Sequence, residues 1–243
     1  MARRIIVGGA QGRRLRKEAE KRESYNRKQN TKIERKMVII ACEDGKSSRL
    51  YFKAIFADLK KSLATASKFL IVDHQHTDPC GVLQDLCNYE GYEEYDHKWI
   101  VIDRDEKRIR KGNTGGWSSE QFSQALADAA KKEIRVAYAN PCFEIWVLLH
   151  FQYWDKKFDR YVLERYLKRY YQYEKSTLFL PMFDSKLQKT AIKNATELMR
   201  WREGQGLNLA TDNPSTTIHE LVELLNGFKS KPKEPLKDAN NGL

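Results

Sequence analysis

Glu43, Asp103 and Asp105 stand directly after apolar runs, where an α/β protein places its chemistry. Glu43 closes Met37-Val38-Ile39-Ile40-Ala41-Cys42, and Asp103-Arg104-Asp105 closes Trp99-Ile100-Val101-Ile102. Two aspartates one residue apart, just past a strand, can aim both carboxylates to one side once the chain turns. Hard cations such as Mg2+ or Mn2+ take oxygen ligands, commonly one or two carboxylates with water and substrate phosphate oxygens. Without a cation, clustered carboxylates repel and at least one keeps its proton. A cation relieves that conflict and stabilises the charge that develops when a phosphodiester is cleaved. The blander reading makes Asp103 a turn cap and Asp105 and Glu106 solvated loop charges. The Glu43-Asp44-Gly45 turn after the first run favours a site.

Two further residues join these candidates. Glu144 follows Asn140-Pro141, which reads as a helix start with Asn as cap and Pro at the first helical position. A carboxylate there is favoured by the helix dipole. It lies on a helix apolar nearly all round, so it needs a partner. That partner is a buried cation, with Arg104 or Lys46 as candidates, or else a metal or an ordered water. Lys46 follows Gly45 at the turn into a helix and is suited to neutralising phosphate charge. Gly45-Lys46-Ser47 is not a phosphate-binding P-loop, because Ile40 stands where that motif needs its first glycine. His150 ends the apolar run and reads as a core or capping histidine.

The elements that must position these residues alternate along the chain. Apolar runs at 37–42, 69–73, 99–103 and 134–138 read as buried strands. Between them lie amphipathic patterns, one led by Tyr51, Phe52, Ile55, Phe56 and Leu59, one opened by Pro79, and one capped by Ser118 or Ser119. Residues 106–117 read as a polar loop. The order β-α-β-α-β-α-β-α predicts an α/β fold with a parallel sheet. If the first and third strands are neighbours, Glu43, Asp103 and Asp105 converge on one edge, where open α/β sheets bind ligands. Helices are expected over 159–174, 185–202 and 214–226. The organisation is then a basic arm (1–36), an α/β core (37–155), a helical C-terminal part (156–228) and a frayed tail (229–243).

Charge separates arm from fold. The net charge is +11 over 243 residues. Residues 1–36 carry 13 basic and 4 acidic side chains, leaving the remainder with 31 and 29. The arm therefore holds +9 of the excess and suits phosphate-backbone or partner contact. No run is long and apolar enough for a membrane span, and the basic start lacks the apolar stretch of a secretory signal. Cys42, Cys80, Cys87 and Cys142 form no dense framework, as expected of a reduced cytoplasmic protein.

Several segments together resemble a known family. They are Ile39-Ile40-Ala41-Cys42-Glu43-Asp44-Gly45-Lys46-Ser47 with Tyr51-Phe52, and Val101-Ile102-Asp103-Arg104-Asp105-Glu106. Next comes Ala139-Asn140-Pro141-Cys142-Phe143-Glu144-Ile145-Trp146 through His150-Phe151, and last Asn213-Pro214-Ser215-Thr216-Thr217. The strand–Glu and strand–Asp-x-Asp order resembles the Toprim domain. More closely, the chain resembles the RloB (AbiL-type) family of prokaryotic phage-defence proteins. That resemblance implies a Toprim-like sheet, a Mg2+- or Mn2+-dependent nuclease acting in abortive infection, and a companion ATPase. It implies metal binding by Glu43, Asp103 and Asp105, with Glu43 also able to move a proton. One departure stands out: the family's Glu-Gly-x-x-Thr-Glu reads Glu43-Asp44-Gly45-Lys46-Ser47-Ser48 here, so the second acid is replaced by Ser48.

RNA, with tRNA as one form, is the favoured nucleic acid over DNA. The competing reading is a non-catalytic nucleic-acid-binding adaptor that works with an ATPase. A haloacid-dehalogenase-type phosphotransferase is disfavoured by Glu106 after the second Asp. Asp73-His74-Gln75-His76-Thr77-Asp78 lacks zinc-ligand spacing and reads as a polar loop at the site's rim. Tyr161, Tyr166, Tyr170, Tyr171 and Tyr173 interleave with Arg160, Arg165, Lys168 and Arg169. That pattern suits stacking on unpaired bases, but an amphipathic helix with tyrosines inward explains it too and is the expectation.

Overall fold

The computed structural model describes residues 17–18, 21, 36–63, 67–73, 75–104, 108–110, 113–115, 118–209 and 211–229. Residues 1–35 form one unit, of which Lys17, Glu18 and Lys21 are described and helical. The expectations for the basic arm and for the tail beyond Lys229 lie outside the described residues. Residues 36–243 form the second unit.

Its centre is a five-stranded sheet in the order β2-β1-β3-β6-β7. Strands β1 (Met37–Cys42), β2 (Lys68–Ile71), β3 (His97–Asp103) and β6 (Arg135–Asn140) run parallel. Strand β7 (Ser215–Thr216) is antiparallel to β6. Strands β4 (Arg108–Arg110) and β5 (Asn113–Gly115) make a separate hairpin within the expected 106–117 loop.

Burial on both faces explains why the strands read as unbroken apolar runs. Val38, Ile40 and Cys42 enter one core with Trp99 and Val101. Met37, Ile39 and Ala41 enter the other with Ile100 and Ile102. The first core is covered by helices α1 (Ser47–Ser62), α4 (Glu144–Leu149), α5 (Arg160–Tyr171), α6 (Ser185–Gly204) and α7 (Ile218–Lys229). The second lies under α2 (Pro79–Asn88) and α3 (Ser119–Lys131). Local signals hold at both of the latter: Asp78 accepts from Gly81 N ahead of Pro79, and Ser118 forms a capping box with Gln121.

The chain goes from β1 to β2 on one side, then from β2 across to β3 on the other. The order therefore reverses between β1 and β3, and this switch point is where such sheets open a crevice at their carboxyl ends. Glu43 and Asp103 flank it.

Both Asn-Pro pairs depart from expectation. Helix α4 begins at Glu144, not at Pro141, because Asn140 is still in the sheet, paired with Ser215. Asn213-Pro214 does not open the last helix, because Ser215–Thr216 is used as the fifth strand and α7 starts at Ile218. Both Asn-Pro bonds are cis. The two threonine hydroxyls after Ser215 knit this segment to β6, while the Ser215 hydroxyl donates to Asp212 O at 2.6 Å. Thr216 Oγ1 donates to Tyr138 O at 2.8 Å and Thr217 Oγ1 to Val136 O at 3.0 Å. Asn213 clamps the 151–159 segment, exchanging hydrogen bonds with Phe158 N and O at 3.1 and 2.8 Å.

Helix α5 differs in part. Tyr166 and Tyr171 pack against the core beside Leu163 and Leu167, and Tyr173 past the helix end is buried, while Tyr161 and Tyr170 face solvent. Among the described residues no helix is long and apolar enough to cross a membrane. The four cysteines are free, Cys42 and Cys142 buried and Cys80 and Cys87 half-buried.

Candidate acidic site at the strand ends

Parallel pairing of β1 with β3 puts Cys42 beside Val101 and carries Glu43 to the end of β3. Glu43 N donates to Val101 O at 2.9 Å, extending the ladder by one residue. Its Oε2 then accepts from Asp103 N at 2.8 Å. Glu43 is thereby locked against the last residue of β3. A carboxylate in that role is strongly held, because a charged acceptor roughly doubles a hydrogen bond's strength.

Asp103 is 8% exposed. Burial pushes its carboxyl well above the ordinary range, and Glu43 and then Glu144 push it further. Arg160 and Lys175 oppose this without reversing it. Three carboxyl groups from the ends of β1 and β3 and the start of α4 thus act on one another. Asp105 lies outside the described residues. Arg104, between the two aspartates, turns to the opposite face, where its Nη2 donates to Ser119 Oγ at 3.1 Å and its guanidinium sits 5.8 Å from the Phe122 ring centre.

Glu144 is fully buried. Neither expected cation is its partner: Arg104 points to the other face and Lys46 is solvent-exposed. Tyr173 donates its hydroxyl to Oε1 at 2.9 Å, and Lys175 Nζ lies 3.6 Å from the same oxygen. Oε2 has no hydrogen-bond partner among the described residues. The Tyr173 hydroxyl is held protonated, first by burial and then by Glu144.

Lys175 is the hub. It reaches Glu144 of α4 and Glu164 of α5 at 3.6 Å and Asp44 of the turn after β1 at 4.0 Å. Burial works against its charge, but Glu144, Asp103 and Asp44 outweigh burial and raise it above the ordinary lysine range. Arg160 joins through Glu164, at 3.7 Å.

The Asp44-Gly45-Lys46 turn does a structural task. Asp44 Oδ1 accepts from Lys46 N at 2.8 Å, and Oδ2 accepts from Ser47 N at 2.9 Å and from the Ser47 hydroxyl. It therefore satisfies the open end of α1, as a cap does. Burial alone would raise its carboxyl; the Ser47 hydroxyl, Lys175 and the two N–H groups together bring it below the ordinary range. Lys46 ends up at the mouth of this turn, exposed.

The remaining candidates are structural. His150 is buried, with Nδ1–H donating to Trp146 O at 2.8 Å and its ring against Trp146 at 4.8 Å. Burial lowers its imidazole to about 4, so it is neutral at physiological pH. His76 Nδ1 meets Asp85 at 2.6 Å, and Asp85 also accepts from Gln75 N and His76 N. This organises the loop after β2. His74 lies outside the described residues.

Sequence reasoning did not find Lys175, Tyr173 in its role, or Arg160. Lys175 lies in a polar loop without periodicity, and only the need of Glu144 for a partner pointed toward such a residue. Among the described residues, no group of three or more His, Cys, Asp and Glu side chains is arranged to hold a metal ion. The donor set is nevertheless all oxygen, suited to a hard cation. A buried carboxylate oxygen without a partner, beside a carboxyl forced toward its proton, is a place where added positive charge is favoured.

No curated protein and no solved structure matches the chain. The RloB-like protein family matches residues 38–225, which takes in Glu43, Asp103, Glu144 and Lys175 along with all of the five-stranded sheet but Met37. The chain belongs to the RloB family.

Proposed function

We propose that this RloB-family chain is a Mg2+- or Mn2+-dependent nuclease with a Toprim-like site, acting in abortive-infection phage defence. The observation that carries the reading is Asp103. Its carboxyl sits at the β1/β3 switch point and is driven toward its protonated form by burial, Glu43 and Glu144. A purely structural acid in that position would be better replaced by an amide. A carboxyl kept there against its own electrostatics suits one that exchanges its proton for a cation.

Asp103 would hold the cation, with Glu43 and Glu144 completing its surroundings and Asp105 contributing as the family pattern implies. Mg2+ or Mn2+ bound there supplies Lewis-acid stabilisation of charge on the scissile phosphate. Glu43 keeps the end of β3 in place through its bond to Asp103 N. Lys175 holds Glu144 in register and balances part of the negative charge. Lys46, at the exposed mouth of the turn, neutralises phosphate charge on the substrate. RNA, tRNA among its forms, is the proposed substrate in preference to DNA, and an ATPase encoded alongside is the proposed partner.

The test compares RNA and DNA ends, read by sequencing, in cells that express the wild type, Asp103→Ala or Glu43→Ala. New ends are expected with wild type alone, together with loss of phage protection in both variants. Full protection by both variants would sink the catalytic reading.

A further inference from the structure

Helix α5 turns rings and cations outward that an amphipathic helix would bury or separate. Tyr170 is 58% exposed and Val162 42%. Tyr170 is not a loose surface ring. Its centroid lies 4.6 Å from that of Tyr166, which lies 5.9 Å from Phe158, which stacks on Trp154 at 4.6 Å and 17°. Gln152 Nε2 fixes the Tyr166 hydroxyl at 3.1 Å. The surface ring is therefore braced by rings behind it, and little freedom is lost when something lands on its face.

Around this ring the charges of the helix itself are positive; Lys168 among them is paired with Glu174 just past the helix end at 2.7 Å. Arg169 lies over Tyr170 at 5.4 Å, and Arg165 is exposed one turn earlier, its Nε on Tyr161 O at 3.3 Å. Glu164, the one carboxylate of the helix, is turned to Arg160 and Lys175 instead. Protein interfaces also use Tyr and Arg, but a face with fixed rings and only positive charge on its helix is complementary to a polyanion that offers flat surfaces. Helix α5 begins at Arg160, whose charge acts at Asp103. Tyr170 is ten residues further, about 15 Å along the helix.

We infer that the outward side of α5, centred on Tyr170, Tyr166 and Arg169, binds single-stranded nucleic acid by base stacking and phosphate contact. This rests on the nuclease reading and deepens it: the substrate presents unpaired bases next to the acidic edge. Base–aromatic stacking is sequence-tolerant, so the surface selects strandedness and not a sequence.

The experiment uses the full chain in EDTA at moderate salt. Fluorescence anisotropy is measured with labelled oligo(U), oligo(dT) and a duplex of equal length. Tyr170→Ala is expected to weaken single-strand binding about 5- to 100-fold and leave duplex binding unchanged. Tyr170→Phe should bind like wild type, and Arg169→Gln should lower the salt slope by about one. The oligo(U) and oligo(dT) arms distinguish RNA from DNA as the source of the strand. The inference is overturned if Tyr170→Ala binds single strands like wild type, or loses single strands and duplex equally. Cleavage is scored separately with Mn2+ added. A wild type that prefers single strands but leaves them intact refutes the nuclease reading and keeps the surface. Cleavage with unchanged Tyr170→Ala binding does the reverse.

Discussion

Removing the Lys175 ammonium tests whether the acidic site is an electrostatically coupled unit. At 3.6 Å from Glu144, with an effective dielectric near 20, the pair attracts by about 4–5 kcal/mol. Glu164 lies equally close but is partly exposed and shared with Arg160, so that contact contributes under about 1 kcal/mol. Asp44 keeps its Ser47 hydroxyl and two N–H donors. The desolvation of the ammonium offsets part of the Glu144 attraction. The expected loss for Lys175→Met is therefore about 2–4 kcal/mol, most of it from leaving a fully buried carboxylate with the Tyr173 hydroxyl alone. The double variant Lys175→Met/Glu144→Gln should recover at least half, because Tyr173 can donate to the amide oxygen and no charge is stranded. The pH dependence has a definite sign. Lys175 is one of two cations that hold the Asp103 carboxyl down, so its removal raises that carboxyl further. A group with a raised folded-state pKa stabilises the fold below its unfolded value and loses that contribution as pH rises. The deficit of Lys175→Met should thus be larger at pH 8 than at pH 5. Urea unfolding followed by tryptophan fluorescence measures all of this. A single variant within about 0.5 kcal/mol of wild type, or a double variant as unstable as the sum of the singles, would refute the coupling.

Two further outcomes follow from the buried titratable groups. Asp103→Asn should abolish metal-dependent cleavage yet raise stability at pH 8, a gain that vanishes below the ordinary aspartate range, where wild-type Asp103 already carries its proton; thermal unfolding at both pH values decides it, and a variant less stable than wild type at pH 8 contradicts the raised carboxyl. His150 is depressed to about 4 by burial, so its contribution is complete above the unfolded histidine value and falls by about 3 kcal/mol as pH drops through that window. His150→Gln, which keeps a donor for Trp146 O, should flatten the acid limb of stability between pH 6.5 and 4; an unaltered limb would place acid sensitivity elsewhere.

The parallel strands were most legible at β1 and β3, which are buried on both faces and so have no polar alternation to confuse the pattern. Glu43 and Asp103 were legible for the related reason that strand ends are marked by the sudden return of polar residues. The Asn-Pro pairs misled because the residues that cap helices also serve turns. What decides between the two is a partner far along the chain: Asn140 stays extended because Ser215 pairs with it. Helix α5 misled in a different way. Leu163 and Leu167 with Tyr166 and Tyr171 fill its inward side, which leaves Tyr161 and Tyr170 in solvent, and composition alone does not reveal which apolar positions a core has room for. The partner of Glu144 was the least legible feature. Arg104 and Lys46 were near in sequence and near the strand ends, but the alternation of β3 sends Arg104 to the other face, and the Asp44 turn leaves Lys46 in solvent. Lys175 reaches the site from a loop whose path only tertiary packing determines.

The balance of charge at the edge constrains how any polyanion could approach it. Glu43, Asp44, Asp103 and Glu144 face Lys175 and Arg160. Even with a proton on Asp103 the group stays net negative, so it attracts cations and repels phosphate until one is bound. Attraction for nucleic acid that needs no metal must then come from other parts of the chain. Residues 1–36 carry +9 by composition, and the outward side of α5 carries Arg165 and Arg169. These sources differ in kind. An arm without aromatic residues other than Tyr25 gives salt-dependent, strand-indifferent binding, whereas the Tyr170 ladder discriminates by stacking. Deleting residues 1–35 should therefore lower affinity for single strand and duplex alike and leave their ratio intact, while Tyr170→Ala changes the ratio. If the deletion instead abolished the preference for single strands, recognition would lie in the arm, and α5 would have no part in selecting the substrate.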